Sequence, residues 1–526
     1  MSGSLLTPVS VHAERREAEP ETRARRRRGA WTARGWVAGL CLVAALSRLP
    51  FLTSPLSPDE GGFLVVGGQW GPGSSLYGGY WVDRPPLLIA VFAAADALGG
   101  QLALRLFGIL AVVLAVAAAA VVGWHGSGRR RTGAVVAALT CATFLASPLF
   151  GARIVDGELL ASPLVLGGLA ALLASYGGAT GTRVLPMRVL AGALAAAAIL
   201  VKQDMADVLV VAAVLCLHTL RRRGLRRAAG DLLPVVGGAV VSASAVTVLA
   251  ASRGTSLTGL WEAVVTFRFA AAGVVSFSRP RLSDLLHAYV ETGALAVTVL
   301  GALVCLGSRR QRRLHAPSSV PWCAAALALT GWEILAALAG GSYWSHYLVG
   351  LVPGITFLVA VALRAPGRLA RLALAAALAY AAGAAAVSWS LHPAPSTTPT
   401  DDQVAASYVR QHARPGDGVV VAFGHADIVR DTGLGSPYPY LWTLPAFVKD
   451  PRLLDLDRLL RSPAAPRWFV AGGDLSQWGP PGSRLQHLVD LHYTVVLRTL
   501  RWVVLRDDSL RSGSVGLRSG QRSARR

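Results

Sequence analysis

The sequence predicts a polytopic α-helical membrane protein with about 11 transmembrane helices, followed by a C-terminal α/β domain. Of its 526 residues, 53% are hydrophobic and 15% are charged, whereas a soluble protein carries about 25% charged residues. The apolar residues gather in blocks such as "LFGILAVVLAVAAAAVVGW", close to the roughly 20 residues that cross a bilayer. The net charge of +22 is concentrated in arginine runs between these blocks. This pattern marks cytoplasmic loops and excludes a nucleic-acid-binding protein.

Each apolar block between residues 35 and 390 is interpreted as one span. The predicted spans are 35–52, 102–124, 133–151, 158–176, 188–201, 206–220, 231–251, 285–306, 320–340, 346–363 and 368–390. Placing the arginine-rich N-terminus in the cytoplasm puts most Lys and Arg residues of the loops inside, as the positive-inside rule requires. The odd number of spans then places the C-terminus on the extracytoplasmic side of the plasma membrane.

The chain is interpreted as four parts. The predicted parts are a basic cytoplasmic N-terminal tail 1–34, a transmembrane domain 35–390 with a first external loop 53–101, an extracytoplasmic α/β domain 395–508 and a disordered tail 509–526. In the α/β domain, Thr400 or Asp401 is expected to cap a helix. The runs "GVVVAFG", "RWFVAGG", "YTVVLR" and "RWVVLRD" predict buried strands. All five cysteines lie in apolar spans without a C-x-x-C pair, which disfavours disulfides and cysteine-held metals.

The threading places an unusual set of polar residues on the outer face of the membrane domain. They are Asp59, Glu60, Asp83, Arg84, Asp156, Glu158, Lys202, Gln203, His346 and Tyr347. Ionisable groups at membrane depth are costly, so they are functional candidates by default. Each type also has an ordinary alternative: adjacent loop acids are solvated, a lysine snorkels, acids cap a helix, and a histidine among aromatics belongs to the interfacial belt. One outward-facing site accounts for the whole set better than these separate alternatives.

Outward carboxylates and cations next to apolar helices suit a lipid-linked phosphate donor. The helices accommodate the lipid tail, and Lys or Arg stabilises the charge of a phosphate leaving group. A positioned carboxylate supplies the general base that an acceptor hydroxyl needs. The set therefore indicates sugar transfer from a polyprenyl-phosphate donor on the extracytoplasmic side.

Four segments of the membrane domain form a recognisable set. They are "PDEGGF", "LYGGYWVDRPPLLIAVFA", "LAGALAAAAILVKQD" and "YWSHYLVGLVPGITFLVA". These segments resemble motifs of the GT-C superfamily of integral-membrane glycosyltransferases, in particular its protein-mannosyltransferase-like group (glycosyltransferase family 39) and aminoarabinose-transferase relatives. Their order and spacing agree with the superfamily over about residues 36 to 365. The family's W-D reads "WVD" here, so Asp83 is shifted or an insertion is present.

The resemblance implies a membrane glycosyltransferase that inverts the anomeric carbon. Asp59 is then the expected general base, and Glu60 supports it or positions the acceptor. Lys202, Arg84 and His346 are expected to bind the donor phosphate. The expected acceptor contacts or site support come from Asp83, Asp156, Glu158, Gln203 and Tyr347. The α/β domain resembles the accessory external module of some bacterial members.

Several alternatives stay open at this stage. The sugar is a hexose or a pentose, and the acceptor is a protein, as in protein O-mannosylation, a lipid or a cell-envelope polysaccharide. The sequence demands no cofactor; some relatives use a divalent metal, and no residues with ligand spacing require one. Two other classes compete with the enzyme. One is a transporter or flippase for lipid-linked sugars, which usually shows inverted repeats and midplane charges, and the other is a non-catalytic cell-envelope assembly protein.

Overall fold

The computed structural model describes residues 32–177, 181–274, 278–315, 320–365, 367–391 and 398–507. Most of the predicted basic tail 1–34 and the whole predicted disordered tail 509–526 lie outside these residues. The membrane part consists of α1 32–46, α2 Pro58–Gly68, α3 Pro86–Ala97, α4 Gln101–Gly126, α5 Arg131–Ala146, α6 Gly157–Gly177, α7 Val184–Val201, α8 Asp207–Arg223, α9 Leu225–Ser252, α10 Leu257–Trp261, α11 Phe267–Ala272, α12 Arg279–Glu291, α13 Ala294–His315, α14 Trp322–Ala339, α15 Val352–Ala362 and α16 Arg368–Leu391. Short 3-10 helices lie at Leu49–Phe51, Pro148–Phe150, Gly181–Arg183 and Ser345–Leu351, and a π-helical turn at Glu262–Thr266.

Within the described residues, seven helices are long and apolar enough to cross a membrane, or eight if one bent pair forms a single span. They coincide with eight of the predicted spans. The predicted spans 35–52, 133–151 and 206–220 fall on α1, α5 and α8, each of which has fewer than 18 described helical residues. The structure thus shows a mostly helical protein with seven or eight candidate spans, and the count of about 11 stays a prediction.

Two predicted spans are interrupted for local reasons. The predicted span 285–306 is divided between α12 and α13, whose axes meet at 66°. Gly293 lies at this break with a φ of +74° and packs against the ring of Tyr380, a conformation and a closeness that only glycine tolerates easily. Helix α5 ends at Ala146 because Pro148 follows, and proline disfavours helical backbone in the residue before it.

Helices α6 and α15 lie at the centre of the membrane part. In the most apolar stretch of α6, 72% is buried inside the protein, and in the stretch that contains α15 the buried share is 78%. In the corresponding stretch of α9 only 17% is buried. An apolar helix that leaves most of its surface uncovered is suited to contact lipid. The central helices therefore position the polar residues at their ends, and α9 belongs to the periphery.

The predicted first external loop, residues 53–101, contains the two helices α2 and α3. The two adjacent acids lie in the first turn of helix α2 and not in an irregular loop. Ser57 caps this helix, because its hydroxyl accepts from the Glu60 amide and the Glu60 carboxylate accepts from the Ser57 amide at 2.9 Å. Pro58 occupies the first helical turn, where its missing N–H costs nothing. Acids in the first turn also interact favourably with the helix dipole.

Glu60 anchors α2 to the membrane helices. Its side chain is fully buried and forms an ion pair with Arg105 of α4. The Val155 amide donates to the same carboxylate at 2.7 Å, and Arg105 donates to the Pro55 carbonyl at 3.2 Å. A buried ion pair is favourable only when further hydrogen bonds satisfy its remaining polar atoms, and these contacts provide several of them. The pair therefore fixes α2 against α4 and against the segment that leads into α6.

The C-terminal residues form a four-stranded mixed sheet flanked by helices. Its elements are β1 Val419–Ala422, β2 Trp468–Ala471, β3 Tyr493–Arg498, β4 Val503–Asp507, α17 Asp401–His412, α18 Ala426–Thr432, α19 Thr443–Lys449, α20 Leu454–Leu460 and α21 Gly479–His492, with a 3-10 helix at Leu475–Trp478. The strand order is β1-β2-β4-β3, with β1 and β2 parallel and the other neighbours antiparallel. The four predicted strand runs each contain one of these strands, and Thr400 caps α17 in a capping box.

This α/β unit packs directly against the ordered external loop. Helix α18 lies on α2, and the Ser436 amide donates to the Tyr80 hydroxyl at 2.9 Å. Arg430 forms an ion pair with Asp96 of α3 at 2.5 Å. These contacts join the α/β unit to both helices of the loop, so the first acidic helix is covered on one side by membrane helices and on the other by the α/β unit.

The Glu60–Arg105 pair leads to a stability prediction. We expect Arg105→Met to lower the free energy of unfolding by about 3–5 kcal/mol, because the buried Glu60 would lose its charge partner. Arg458→Met is the matched control, since the Arg458–Asp455 pair is exposed and its loss should cost less than about 1 kcal/mol. Thermal unfolding of both purified variants in detergent measures the difference. An equal decrease of Tm in both variants would contradict the expectation that the buried pair contributes more to stability than the exposed pair.

Candidate active site

Five segments converge at one end of the membrane helices. They are the start of α2, residues 82–85 before α3, the start of α6, residues 202–206 after α7, and the 3-10 helix before α15. Gly157 at the start of α6 lies against the aliphatic chain of Lys202, where an added Cβ would come within 3.3 Å. Segments from five separate parts of the sequence therefore form one surface, which carries most of the predicted site residues.

Lys202 is held by carboxylates and an aromatic ring. Its ammonium forms an ion pair with Glu158 and lies 3.8 Å from Oδ2 of Asp204. It also lies over the ring of Tyr347, 4.5 Å from the ring centroid, as in a cation–π contact. The side chain is only 17% exposed. A lysine that merely snorkels would extend into the headgroup region, so the ordinary alternative does not describe Lys202.

His346 lies between two acids at the start of α6. Its Nδ1 atom is 3.7 Å from Oδ2 of Asp156, and its Nε2 atom is 3.9 Å from Oε1 of Glu158. The other oxygen of Asp156 accepts from the Leu159 amide at 3.0 Å. Burial raises the pKa of Asp156 to about 7. Asp156 therefore caps α6 with one oxygen, as the ordinary alternative expects, and presents the other to the imidazole.

Asp83 organises a second group of charges beside the first. Arg84 contacts one carboxylate oxygen of Asp83 at 2.9 Å, and Arg268 contacts the other at 3.0 Å. The side-chain amide nitrogen Nε2 of Gln203 donates to the backbone carbonyl of Asp83 at 2.8 Å. Burial alone would raise the pKa of Asp83, but Arg84 and Arg268 outweigh this and hold the pKa below its usual range. Asp83 therefore stays charged and keeps both guanidinium groups in place.

Asp59 is half-buried at the first turn of α2. The indole Nε1 of Trp442 donates to its Oδ1 atom at 2.8 Å. Burial acts to lower the pKa of Arg84, but the carboxylates of Asp83 and Asp59 more than offset this and raise it above its usual value. Asp59 is therefore oriented by the α/β unit and lies within electrostatic range of Arg84.

Most of the predicted residues form one connected charge cluster. Its predicted members are Asp59, Asp83, Arg84, Asp156, Glu158, Lys202, Gln203, His346 and Tyr347. Glu60 differs from them, because its carboxylate is fully buried against Arg105 and Val155. That position suits the supporting role expected for Glu60. The carboxylate is not exposed, so an acceptor cannot contact it directly.

Three important residues were missed by sequence reasoning. Arg105 interrupts an apolar block, so the cost of a charge in a membrane helix was a usable signal. Arg268 belongs to α11, within a segment that the sequence predicted as an external loop, and it carries no motif. Trp442 has no sequence signal for its contact with Asp59, because that hydrogen bond forms only when the α/β unit packs on α2.

A narrow cleft opens beside the cluster. Its lining residues are Glu158, Lys202, Asp204, Met205, Asp207, Trp332, Glu333, Ala336, Ala337, Tyr347 and Gly350. The lining contains four acids and one cation, Lys202, and α14 contributes Trp332, Ala336 and Ala337 as an apolar part of the wall. The ammonium of Lys202 is therefore the group of this lining that can bind an anion, and it lies near apolar side chains.

Asp156, Glu158 and His346 could hold a divalent cation. Their ligand atoms lie within 4.8 Å of one another, and Oδ2 of Asp156 is buried without a hydrogen-bond partner among the described residues. Carboxylates with an imidazole suit Zn²⁺ or Mn²⁺. Because Lys202 is paired with Glu158, cation binding would require this ammonium to move away.

The comparisons with known proteins give structural matches only. No protein-family model matches the chain, and no curated protein gives a match. ArnT from Cupriavidus metallidurans, solved bound to undecaprenyl phosphate, has a TM-score of 0.60 and 17% identity, with 91% of this chain and 98% of ArnT covered. The Archaeoglobus fulgidus oligosaccharyltransferase, solved with a tethered acceptor peptide, has a TM-score of 0.53 and 13% identity, with 92% of this chain and 75% of that chain covered.

These similarities identify the class of fold. ArnT and the archaeal oligosaccharyltransferase are both GT-C glycosyltransferases, and each match extends over about nine-tenths of this chain. The chain therefore has the GT-C fold of multi-pass membrane proteins, and the resemblance predicted from the four motifs is confirmed at the level of fold. A fold does not by itself assign a reaction, so the activity is argued from the site.

The packing of α2 on the α/β unit can be tested at Gly61. An added Cβ at this position would collide with the Asp427 backbone. We expect Gly61→Ala to destabilise the protein by about 1–3 kcal/mol, as overpacking does, and to expose the α/β unit to proteolysis. Gly79→Ala is the control, because an added Cβ there meets nothing within 4 Å. Limited proteolysis and thermal unfolding measure both variants, and identical behaviour would refute the close contact.

Proposed function

We propose that this protein transfers a sugar from a polyprenyl-phosphate-linked donor to an acceptor hydroxyl on the extracytoplasmic face of the membrane. The observation that carries the proposal is the group of three cations, Lys202, Arg84 and Arg268, of which Lys202 lines the cleft together with aromatic and aliphatic side chains of α14. A lipid phosphate needs both features. ArnT was solved with undecaprenyl phosphate, and the archaeal oligosaccharyltransferase AglB with dolichol-phosphate, which supports this class of donor.

Each of the three cations can bind a phosphate if it exchanges its present carboxylate partner for the phosphate oxygens. Arg84 and Arg268 are paired with Asp83, and Lys202 is paired with Glu158. A donor phosphate offers several strong acceptor oxygens, and charge-assisted hydrogen bonds to it are stronger than neutral ones. Before the sugar donor binds, the carboxylates keep the three cations in place, because each ion pair offsets the repulsion among the cations. Such preorganised charge stabilises the phosphate as it leaves.

Asp59 is the proposed general base. The acceptor oxygen attacks the anomeric carbon and forms the new glycosidic bond while the bond from that carbon to the phosphate oxygen breaks. The electron pair leaves with the polyprenyl phosphate, and Asp59 takes the hydroxyl proton. Attack from the face opposite the phosphate inverts the anomeric carbon. The hydrogen bond from Trp442 fixes one oxygen of Asp59, so the carboxylate is oriented before the acceptor arrives.

A divalent cation bound by Asp156, Glu158 and His346 would supply additional positive charge to the leaving phosphate. Without it, the two carboxylates face the side chains of His346 and Lys202. His346 is then proposed to donate a hydrogen bond to the phosphate, and Tyr347 to keep the Lys202 ammonium over its ring.

We also propose the complete topology. In it, about 11 spans follow a cytoplasmic N-terminal tail, and residues 395–508 form an extracytoplasmic domain. The arginine runs between α4 and α5 and between α8 and α9 are at the opposite helix ends from the charge cluster. The positive-inside rule then places the cluster outside, and the sugar, a hexose or pentose, is transferred there to a protein, lipid or polysaccharide.

Asp59→Asn tests the assignment of the base. We expect transfer from polyprenyl-phosphate donors to fall at least a hundredfold, in the range for loss of a general base, while the protein stays folded and inserted. Asp490→Asn is the control, because Asp490 is an exposed acid of α21. Transfer by the purified variants is measured with saturating donor. Full activity of folded Asp59→Asn would overturn the assignment, and lipid-sugar translocation without transfer by the parent would favour the transporter class.

Lys202→Ala tests the phosphate site. We expect the apparent KM for the donor to rise roughly tenfold to a hundredfold, since a hydrogen bond to a charged group contributes about 1.5–3 kcal/mol. Lys202→Arg should restore part of the affinity because it keeps the positive charge. Lys449→Ala provides the control, since Lys449 pairs with Glu262 away from the cleft. A donor KM that is unchanged in Lys202→Ala would remove Lys202 from the phosphate site.

A further inference from the structure

A second cluster of ligand-type side chains lies in the α/β unit. It contains Asp402 in the first turn of α17, His425 immediately before α18, and Asp427 in the first turn of α18. The Nδ1 atom of His425 lies 3.5 Å from Oδ2 of Asp402 and 3.7 Å from Oδ1 of Asp427. The proposed transfer reaction uses none of these three residues.

Two atoms of this cluster are buried and have no hydrogen-bond partner within the described part of the chain. Asp427 is only 4% exposed, and its Oδ1 atom has no hydrogen-bond partner among the described residues. The Nδ1 atom of His425 is also buried, and it likewise has no hydrogen-bond partner among the described residues. Buried polar atoms are nearly always hydrogen-bonded, and leaving one unsatisfied is costly. The two atoms lie only 3.7 Å from each other, so a single bound ion could contact both.

Trp502 orients the remaining groups of the cluster. Its indole Nε1 donates to Oδ1 of Asp402 at 2.6 Å, and its ring packs edge-on against the imidazole of His425, with centroids 4.8 Å apart. The hydrogen bond leaves the other oxygen of Asp402 free to face His425. Supporting contacts of this type hold ligating side chains in place around bound metals.

We propose that Asp402, His425 and Asp427 form a binding site for one divalent transition-metal cation of the Zn²⁺ type. A tetrahedral Zn²⁺ with bonds of about 2.0–2.2 Å has ligand atoms about 3.4 Å apart. The two distances from His425 are close to this value, and all three ligand atoms lie within 4.8 Å of one another. Two carboxylates and an imidazole leave one coordination position for water, and the cation would satisfy both unpaired atoms.

The site would join α17 to α18 directly behind the first acidic helix. The Asp427 backbone is packed against Gly61 of α2, next to Asp59. A bound cation would therefore hold α18 in the position from which it contacts α2. The inference concerns metal binding by the α/β unit and does not depend on the proposed sugar transfer.

Metal binding by the full-length protein in detergent tests the proposal. The protein is stripped with a chelator and dialysed against micromolar Zn²⁺, and bound metal is measured by mass spectrometry. All variants carry His346→Gln, which disables the other candidate cluster. We expect about one equivalent of Zn²⁺ in this background, a Kd at least tenfold weaker after His425→Gln or Asp427→Asn, and no change after His492→Gln, whose imidazole is exposed on α21.

Thermal unfolding provides an independent readout. Zn²⁺ should raise the Tm of the parent and of His492→Gln, because a ligand that binds the folded state stabilises it, and it should leave the Tm of His425→Gln unchanged. Asp402→Asn replaces any variant that fails to fold. Equal Zn²⁺ binding with and without His425 would overturn the proposal. So would the absence of stoichiometric metal, which would leave the cluster as a contact of His425 with its two acids.

Discussion

The buried ion pair between Glu60 and Arg105 is the interaction on which the geometry of the site depends. It connects the first turn of α2 to α4, and the Val155 amide connects the same carboxylate to the segment before α6. Asp59 and Asp156 are each a single residue away from these contacts. Their positions relative to each other therefore follow from one carboxylate that is fully buried and cannot move without losing several hydrogen bonds.

Charge pairing accounts for the arrangement of the remaining site residues. Three cations in a partly buried region would repel one another strongly, because their interactions are poorly screened there. Asp83 and Glu158 hold these cations beside the cleft. The same pairing leaves each cation free to take a stronger anionic partner. The proposed phosphate-binding groups are therefore held in position by their carboxylate partners.

The sequence was informative where a single rule dominated the local structure. Long apolar blocks became the helices with spanning length, and short β-branched runs became the four strands. Local interruptions were harder to predict. Pro148 ended α5, and Gly293 separated α12 from α13. Capping by Ser57 made a helix of the acidic segment, because a reciprocal hydrogen bond offset the poor helix propensity of its two glycines.

The sequence by itself indicated the fold class and the candidate residues, and it predicted that these residues share one face of the membrane domain. Hydropathy and the distribution of arginine are properties of the chain, and they require no knowledge of packing. Only the tertiary structure decided which of two adjacent acids is buried and which is available. Successive residues in a helix point about 100° apart, so Glu60 turned toward Arg105 and Asp59 toward Trp442. Those partners lie 45 and 383 residues away along the chain, and contacts at such separations arise only from packing.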